Sequence, residues 1–175
     1  MDSKRNTERM VKAAAIAALY AVLTMLVEPL GYKIVQFRIS EILTILPVFD
    51  SSAIPGLTLG CVVSNIYGAF KGLTPGYDVI IGSLATLVCA VLTRKLKNIK
   101  IFGLPLVSTL PPVIINAIVI GLESTIEQNG FNFIWSIYFK NAGIIAISQF
   151  VICTVGGTLL AVLLKKTLYR NQKDE

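Results

Sequence analysis

Residues 101–123 read IFGLPLVSTLPPVIINAIVIGLE, twenty-two positions without a charge, closed by Glu123. About 20 apolar helical residues cross a bilayer core, so this stretch is long enough to span one. Asn116 lies seven residues before Glu123. That is close to two helical turns, so the amide and the carboxylate share a face.

Five further apolar runs flank it, at about 10–27, 39–49, 53–70, 79–92 and 142–164, beside its own span at about 101–122. Together they predict one all-α integral membrane domain over residues 1–175, a bundle of six transmembrane helices. The second and fourth runs are short for a full crossing, and tilt, polar flanks or partial re-entry would accommodate them. Composition agrees: 54% of the 175 residues are hydrophobic and 15% charged, where soluble domains run near 45–50% and about 25%. The first run lacks a small-residue cleavage site and leads into more membrane sequence, so it reads as a span rather than a cleavable signal.

Basic residues set the orientation. Lys4, Arg5, Arg9 and Lys12 precede the first span, and Arg94, Lys95, Lys97 and Lys100 follow the fourth. Lys165, Lys166, Arg170 and Lys173 follow the sixth. Six crossings put these twelve on one side and leave Lys33, Arg38, Lys71 and Lys140 on the other. Both termini are therefore expected in the cytoplasm, with the chain multi-pass in the bacterial plasma membrane.

The chain has no histidine, and its three cysteines, Cys61, Cys89 and Cys153, lie far apart within apolar runs. His-dependent catalysis, a zinc knuckle and a disulfide framework are unsupported. No GxxxxGK[ST] loop is present, so the chain is not expected to hydrolyse ATP itself. The reading contains no enzyme, catalytic residue, cofactor or metal, and the basic surplus belongs to membrane topology rather than to nucleic acid.

Polar groups in spans are costly and usually face a cavity or one another. Asn65 in the third span, Asp78 opening the fourth, Asn116 and Glu123 in the fifth and Gln149 in the sixth fall at similar outer depths. They are candidate ligands for a small polar solute, or interhelical glue. Asp78 also has the position of a helix N-cap. Arg38 and Glu41, at i and i+3, are expected to form a salt bridge that pins the loop 28–38, and Gln36 and Arg38 are candidates for a lid. The outward connections 28–38, 68–77 and 123–141 hold Tyr32, Tyr77, Trp135 and Tyr138, which are either an interfacial belt or stacking groups. On the first span, Ala14, Ala17, Ala18 and Ala21 form a small-residue face that admits a close helix, from this chain or from a partner.

The run Val35-Gln36-Phe37-Arg38-Ile39-Ser40-Glu41-Ile42-Leu43-Thr44-Ile45-Leu46-Pro47 resembles the QueT group of substrate-binding subunits (S components) of energy-coupling factor (ECF) transporters. So do Gly56-Leu57-Thr58-Leu59-Gly60-Cys61, Asn65, and Asp78-Val79-Ile80-Ile81-Gly82-Ser83-Leu84-Ala85-Thr86. The resemblance covers about residues 10–165. It implies uptake of a queuosine precursor, a deazaguanine base, by a subunit that docks on a transmembrane coupling protein driven by two ATPases. On that view Ala14, Ala17, Ala18 and Ala21 are the docking face and 28–38 is the lid. Glu123, with Asp78 second, would accept the adjacent N–H donors of the guanine-like edge. Asn116, Asn65 and Gln149 would read carbonyl and ring nitrogens, and Trp135, Tyr67 or Tyr77 would stack. One departure is Ser148-Gln149, where the family often has an acidic residue after a glycine. An S component for another vitamin or nucleobase and a self-sufficient small-solute carrier are the alternatives.

Overall fold

The structure, a computed structural model, describes residues 2–28, 37–130 and 132–171. Its main elements among those residues are helices: α1 (Asp2–Leu26), α2 (Ile39–Val48), α3 (Ala53–Phe70), α4 (Asp78–Lys95), α5 (Leu110–Asn129) and α6. The last has three parts, Trp135–Gln149, a widely wound turn Phe150–Gly156, and Gly157–Asn171. Four of these helices are long and apolar enough to cross a membrane: Ser3–Leu26, Ala53–Phe70, Leu106–Asn129 and Trp135–Thr167. The two remaining helices are the pair whose apolar runs are short. α4 carries Asp78 at its start and Arg94 and Lys95 in its last turn, so its 18 residues are apolar only in the middle.

α2 is wound as a 3-10 helix with Pro47 near its end. Ten residues at about 2.0 Å rise reach only about 20 Å. It is buried against α1, α3, α4 and the last two parts of α6, with Ser40, Glu41, Leu43, Thr44, Ile45 and Pro47 inside. The central plug of the bundle is thus a short, partly polar segment rather than a full span.

Alanine-rich α1 has strong helix propensity, and it lies on α3 at a glycine pair. A Cβ added at Gly56 would stand 2.8 Å from the Ala13 carbonyl, and one at Gly60 2.9 Å from that of Ala17. This GxxxG spacing is what lets two membrane helices approach closely. Tyr20, Leu43, Leu57, Cys61 and Ala90 form the apolar core. The outer surface carries large apolar side chains at i, i+3 and i, i+4 spacing, among them Leu59, Val63 and Ile66 on α3, Ile80, Leu84 and Val88 on α4, and Ile114, Ile118 and Leu122 on α5. An apolar exterior around polar interior groups identifies lipid as the solvent of this bundle.

The fifth helix differs from its expected limits. Residues 101–105 turn instead of continuing a span, with Ile101 and Leu104 bridged and Gly103 at φ 74°. Leu106–Thr109 is a 3-10 turn, and α5 starts with Pro111 and Pro112 in its first turn, where missing N–H groups cost nothing. It then runs on to Asn129 and stops at Gly130, at φ 59°. The expected connection 123–141 shrinks to 130–134, and Glu123 sits well inside the helix.

At one end of the bundle Lys12 pairs with Asp50 at 3.0 Å, Arg94 donates to the Pro47 carbonyl at 2.9 Å and Lys165 to that of Gly103 at 3.0 Å. Asp50 is held down at about 2, chiefly by hydrogen bonds from the hydroxyl and N–H of Ser52, with Lys12 adding to them. At the other end Lys71 lies 3.4 Å from Glu28, which also accepts from Tyr67 Oη at 2.7 Å. That phenol is the main reason the Glu28 carboxyl lies below its ordinary range.

Candidate functional site

Arg38, the extended residue that opens α2, directs its guanidinium into the bundle, where Nη2 lies 3.6 Å from Asp78 Oδ2 at the start of α4. Glu41, one 3-10 turn on, accepts from Tyr20 Oη of α1 at 2.5 Å. The salt bridge expected between Arg38 and Glu41 is therefore replaced by two cross-helix contacts, Arg38 to Asp78 and Tyr20 to Glu41. In a 3-10 helix residues i and i+3 are nearly eclipsed, so both side chains enter the bundle on one side and meet different helices.

The cap reading of Asp78 also fails. Tyr77 occupies the cap position without a side-chain cap bond, and both Asp78 carboxylate oxygens are buried with no hydrogen-bond partner among the described residues.

Gly82, one turn along α4, makes room for this arrangement. A Cβ there would collide with the Asp78 carboxylate and stand 2.8 Å from Asn65 Nδ2. Asn65 donates to the Asp78 backbone carbonyl at 2.9 Å and ties α3 to α4. Its Oδ1 is buried without a partner among the described residues. Glu123 of α5 lies near enough to Asp78 for the two carboxyl groups to act on each other electrostatically. Glu123 Oε1 is also buried without a hydrogen-bond partner among the described residues.

Arg38, Glu41, Gly82, Thr86, Asn116, Ile120 and Gln149 line a narrow cavity of about 10 Å³, about the space of one water molecule. Gln149 Oε1 accepts from the Cys153 thiol at 3.0 Å, and the same sulfur reaches the Glu41 carbonyl at 3.7 Å. Gln149 ends the first part of α6, and the wide turn that follows packs Gly156 against Ile42 of α2. Such wide turns often mark functional sites; here it fits α6 around the plug.

Of the candidate solute ligands, Arg38, Asn116 and Gln149 line the cavity, and Asp78, Asn65 and Glu123 adjoin it. The aromatic candidates lie elsewhere. Trp135 is 65% exposed and clusters with Phe133, Tyr138 and Phe139 at ring separations of 5.0–6.2 Å. Tyr67 belongs to the Glu28 pair, and Tyr77 is exposed at the start of α4. The Tyr77 phenol is pushed up by partial burial first, then by Glu123, Glu127 and Asp78, which make that end acidic. Glu41, Tyr20, Gly82 and Thr86 complete the site. Glu41 is visible in the sequence only as a partner for Arg38, and Gly82 had no signal beyond its place in the Asp78–Thr86 block.

On α1 the alanine face splits. Ala14 and Ala18 are exposed, Ala17 is half-buried over Gly60, and Ala21 is buried. The exposed stripe is Val11, Ala14, Ala15, Ala18 and Val22. The lid candidate Gln36 and its neighbours Tyr32 and Lys33 lie outside the described residues.

The family described as QueT transporter matches residues 10–166. A relative from Lactococcus lactis subsp. cremoris (strain MG1363), described as queuosine precursor transporter QueT, is 40% identical over 87 residues, 49% of this chain and 48% of its own length. The matched stretch thus spans about half of that curated relative. No solved structure matches. With the family's pattern running through every helix that builds the cavity, the chain belongs to the QueT transporter family.

Proposed function

We propose that this protein is the solute-capturing subunit of an ATP-driven importer of the ECF type, and that it takes up a queuosine precursor, a deazaguanine base, across the bacterial cell membrane. The observation that carries the reading is the meeting of Arg38 and Glu41 at α2, Asn116 of α5 and Gln149 of α6, with Gly82 and Thr86 of α4, at one cavity inside an apolar shell. The name of the Lactococcus relative supports the substrate class.

In this reading Glu123 accepts the paired N–H donors of the guanine-like edge, while Asn116 and Gln149 meet the carbonyl and ring nitrogens. A site built to satisfy such donors rejects analogues that lack them, because its own polar groups would be left unpaired. Solute-sized pockets are about 300 Å³ or more, far above the cavity seen here. Binding therefore moves the walls, and Arg38 is the longest side chain in the way. Both termini face the cytoplasm, in keeping with Lys12, Arg94 and Lys165 at one end of the bundle. The acidic end then faces outward. The exposed Ala14–Ala18 stripe of α1 meets a transmembrane coupling protein, and two ATPases drive the cycle.

Calorimetry on the purified chain in detergent tests this, with deazaguanine bases, guanine and several vitamins including riboflavin. Tight binding of a deazaguanine alone is the expected result. Binding of an unrelated vitamin would overturn the substrate class. Reconstituted uptake should require the coupling protein and ATPases, and uptake by the chain alone would overturn the subunit role.

A further inference from the structure

We propose that the basic end of this bundle holds one anionic phospholipid, its phosphate in a cleft between α1 and α4 and one acyl chain in a groove between α1 and α3. The proposal rests on the membrane bundle itself and not on the solute captured at the cavity.

Arg5, Arg9 and Lys12 stand at i, i+4 and i+7 on α1, so they share one face. Together with Arg94 of α4 they line an open cleft of about 290 Å³ at the junction of α2 and α3. Glu8 and Asp50 also line it, so four cations stand against two acids. Asp50 is already engaged by Lys12 and Ser52. Arg94 donates to the Pro47 carbonyl at 2.9 Å, which fixes the guanidinium without neutralising it. Among the described residues no carboxylate lies within ion-pair distance of Arg5, Arg9 or Arg94. Guanidinium groups take phosphate through paired N–H donors, and an anion in this cleft relieves the repulsion among the cations.

The neighbouring surface marks that anion as a lipid. Arg9 and Ser51 also line an apolar groove of about 540 Å³, so cleft and groove are continuous. Met10 and Leu59 stand beside it at 72% and 53% exposure. Close crossing of α1 and α3 at Gly56 draws the two backbones together, and the Ala13 and Ala14 side chains are too short to fill the space outside the crossing. A free phosphate uses only the cleft, and an apolar partner helix uses only the groove. A phospholipid uses both, with its charge at the end of the bundle and its chain along the helices. Basic pockets between membrane helices take anionic headgroups in this way. Ala14 also belongs to the stripe assigned above to the coupling protein, so the lipid is the occupant of the undocked chain.

The test mixes the purified chain, in a neutral detergent, with equal amounts of phosphatidylglycerol and phosphatidylcholine of identical acyl chains. Bound lipid is read by native mass spectrometry. One phosphatidylglycerol should be retained in preference to phosphatidylcholine by about tenfold or more. Arg9→Gln combined with Arg94→Gln should bring that preference to within about twofold. Lys97→Gln combined with Lys100→Gln removes the same charge from the connection after α4 and should leave the preference unchanged. Equal losses in the two double variants would overturn a localised site in favour of diffuse attraction. Glycerol 3-phosphate at the same concentration should not displace the lipid, and displacement would overturn the part played by the groove and leave a site for free phosphate. Equal retention of the two lipids by the wild type would overturn the proposal whether or not the variants fold, and would leave the groove to a partner helix. Solute calorimetry is a separate measurement, so the capture reading stands or falls independently of these outcomes.

Discussion

Two ion pairs mark different parts of this molecule. Lys12 and Asp50 meet at 3.0 Å at the basic end, with side chains 60% and 37% exposed. Arg38 and Asp78 meet at 3.6 Å inside the bundle, with side chains 5% and 3% exposed. The outer pair is the better formed, and Asp50 is further held by Ser52. The inner pair is longer and leaves carboxylate oxygens without hydrogen bonds. A fold selected for stability alone would do the reverse, because exposed pairs contribute about 0–1 kcal/mol and buried charges are expensive unless fully bonded. On the capture proposed above, the inner cluster is arranged for a solute that enters it, while the outer pair ties the α2–α3 junction to α1.

The largest effect that would sharpen this contrast is at Glu123. Glu123→Gln should weaken deazaguanine binding by about 10- to 100-fold, the loss of a charged hydrogen-bond acceptor worth about 1.5–3 kcal/mol. Asn65→Ala should weaken it much less, because Asn65 spends its amide on the Asp78 backbone and the Cys61 sulfur. Equal and small losses in calorimetry would remove Glu123 from the site.

A smaller effect is expected at Tyr20. Tyr20→Phe leaves Glu41 buried without its donor and should cost roughly 1–3 kcal/mol of stability, read as a lower melting temperature in detergent. An unchanged melting temperature would mean that the inner polar groups are not held as tightly as their burial implies.

The smallest is at the outer pair. Asp50 is depressed in the folded protein, to about 2 from the ordinary 3.8. Its stabilisation is therefore fully present above about pH 4 and lost as pH falls toward 2. Asp50→Asn should remove that part of the acid sensitivity and cost less than about 1 kcal/mol at neutral pH, given its exposure. Melting temperatures of both proteins across that window check it, and a large neutral-pH loss would break the contrast between the two ends.

Much of this was legible before folding. Hydropathy alone marks the long runs of α1, α3, α5 and α6, because lipid imposes a length and an apolar surface on any crossing helix. The polar side chains that gather at the cavity stand out for the same reason, since amides and acids within such runs are rare and costly. The close approach at Gly56 and Gly60 was not read from the sequence, where the small-residue face was assigned to the alanines of α1.

What remained hidden depended on distance between elements. Periodicity could pair Arg38 with Glu41 as sequence neighbours, but the 3-10 winding of α2 sends them to Asp78 and Tyr20, which lie 40 and 21 positions from their respective partners. The aromatic residues were placed at the outer level by the topology that basic residues impose, yet only packing shows Trp135 among other rings rather than at the cavity. The alanine face was a property of α1 alone, and its division into buried Ala21 and exposed Ala14 and Ala18 came from the angle at which α3 lies on it. Sequence by itself determined that this chain is a membrane bundle with acids and amides inside, because solvation acts on each residue separately. Tertiary structure decided which acid meets which base, because that depends on how helices far apart in the chain are brought together.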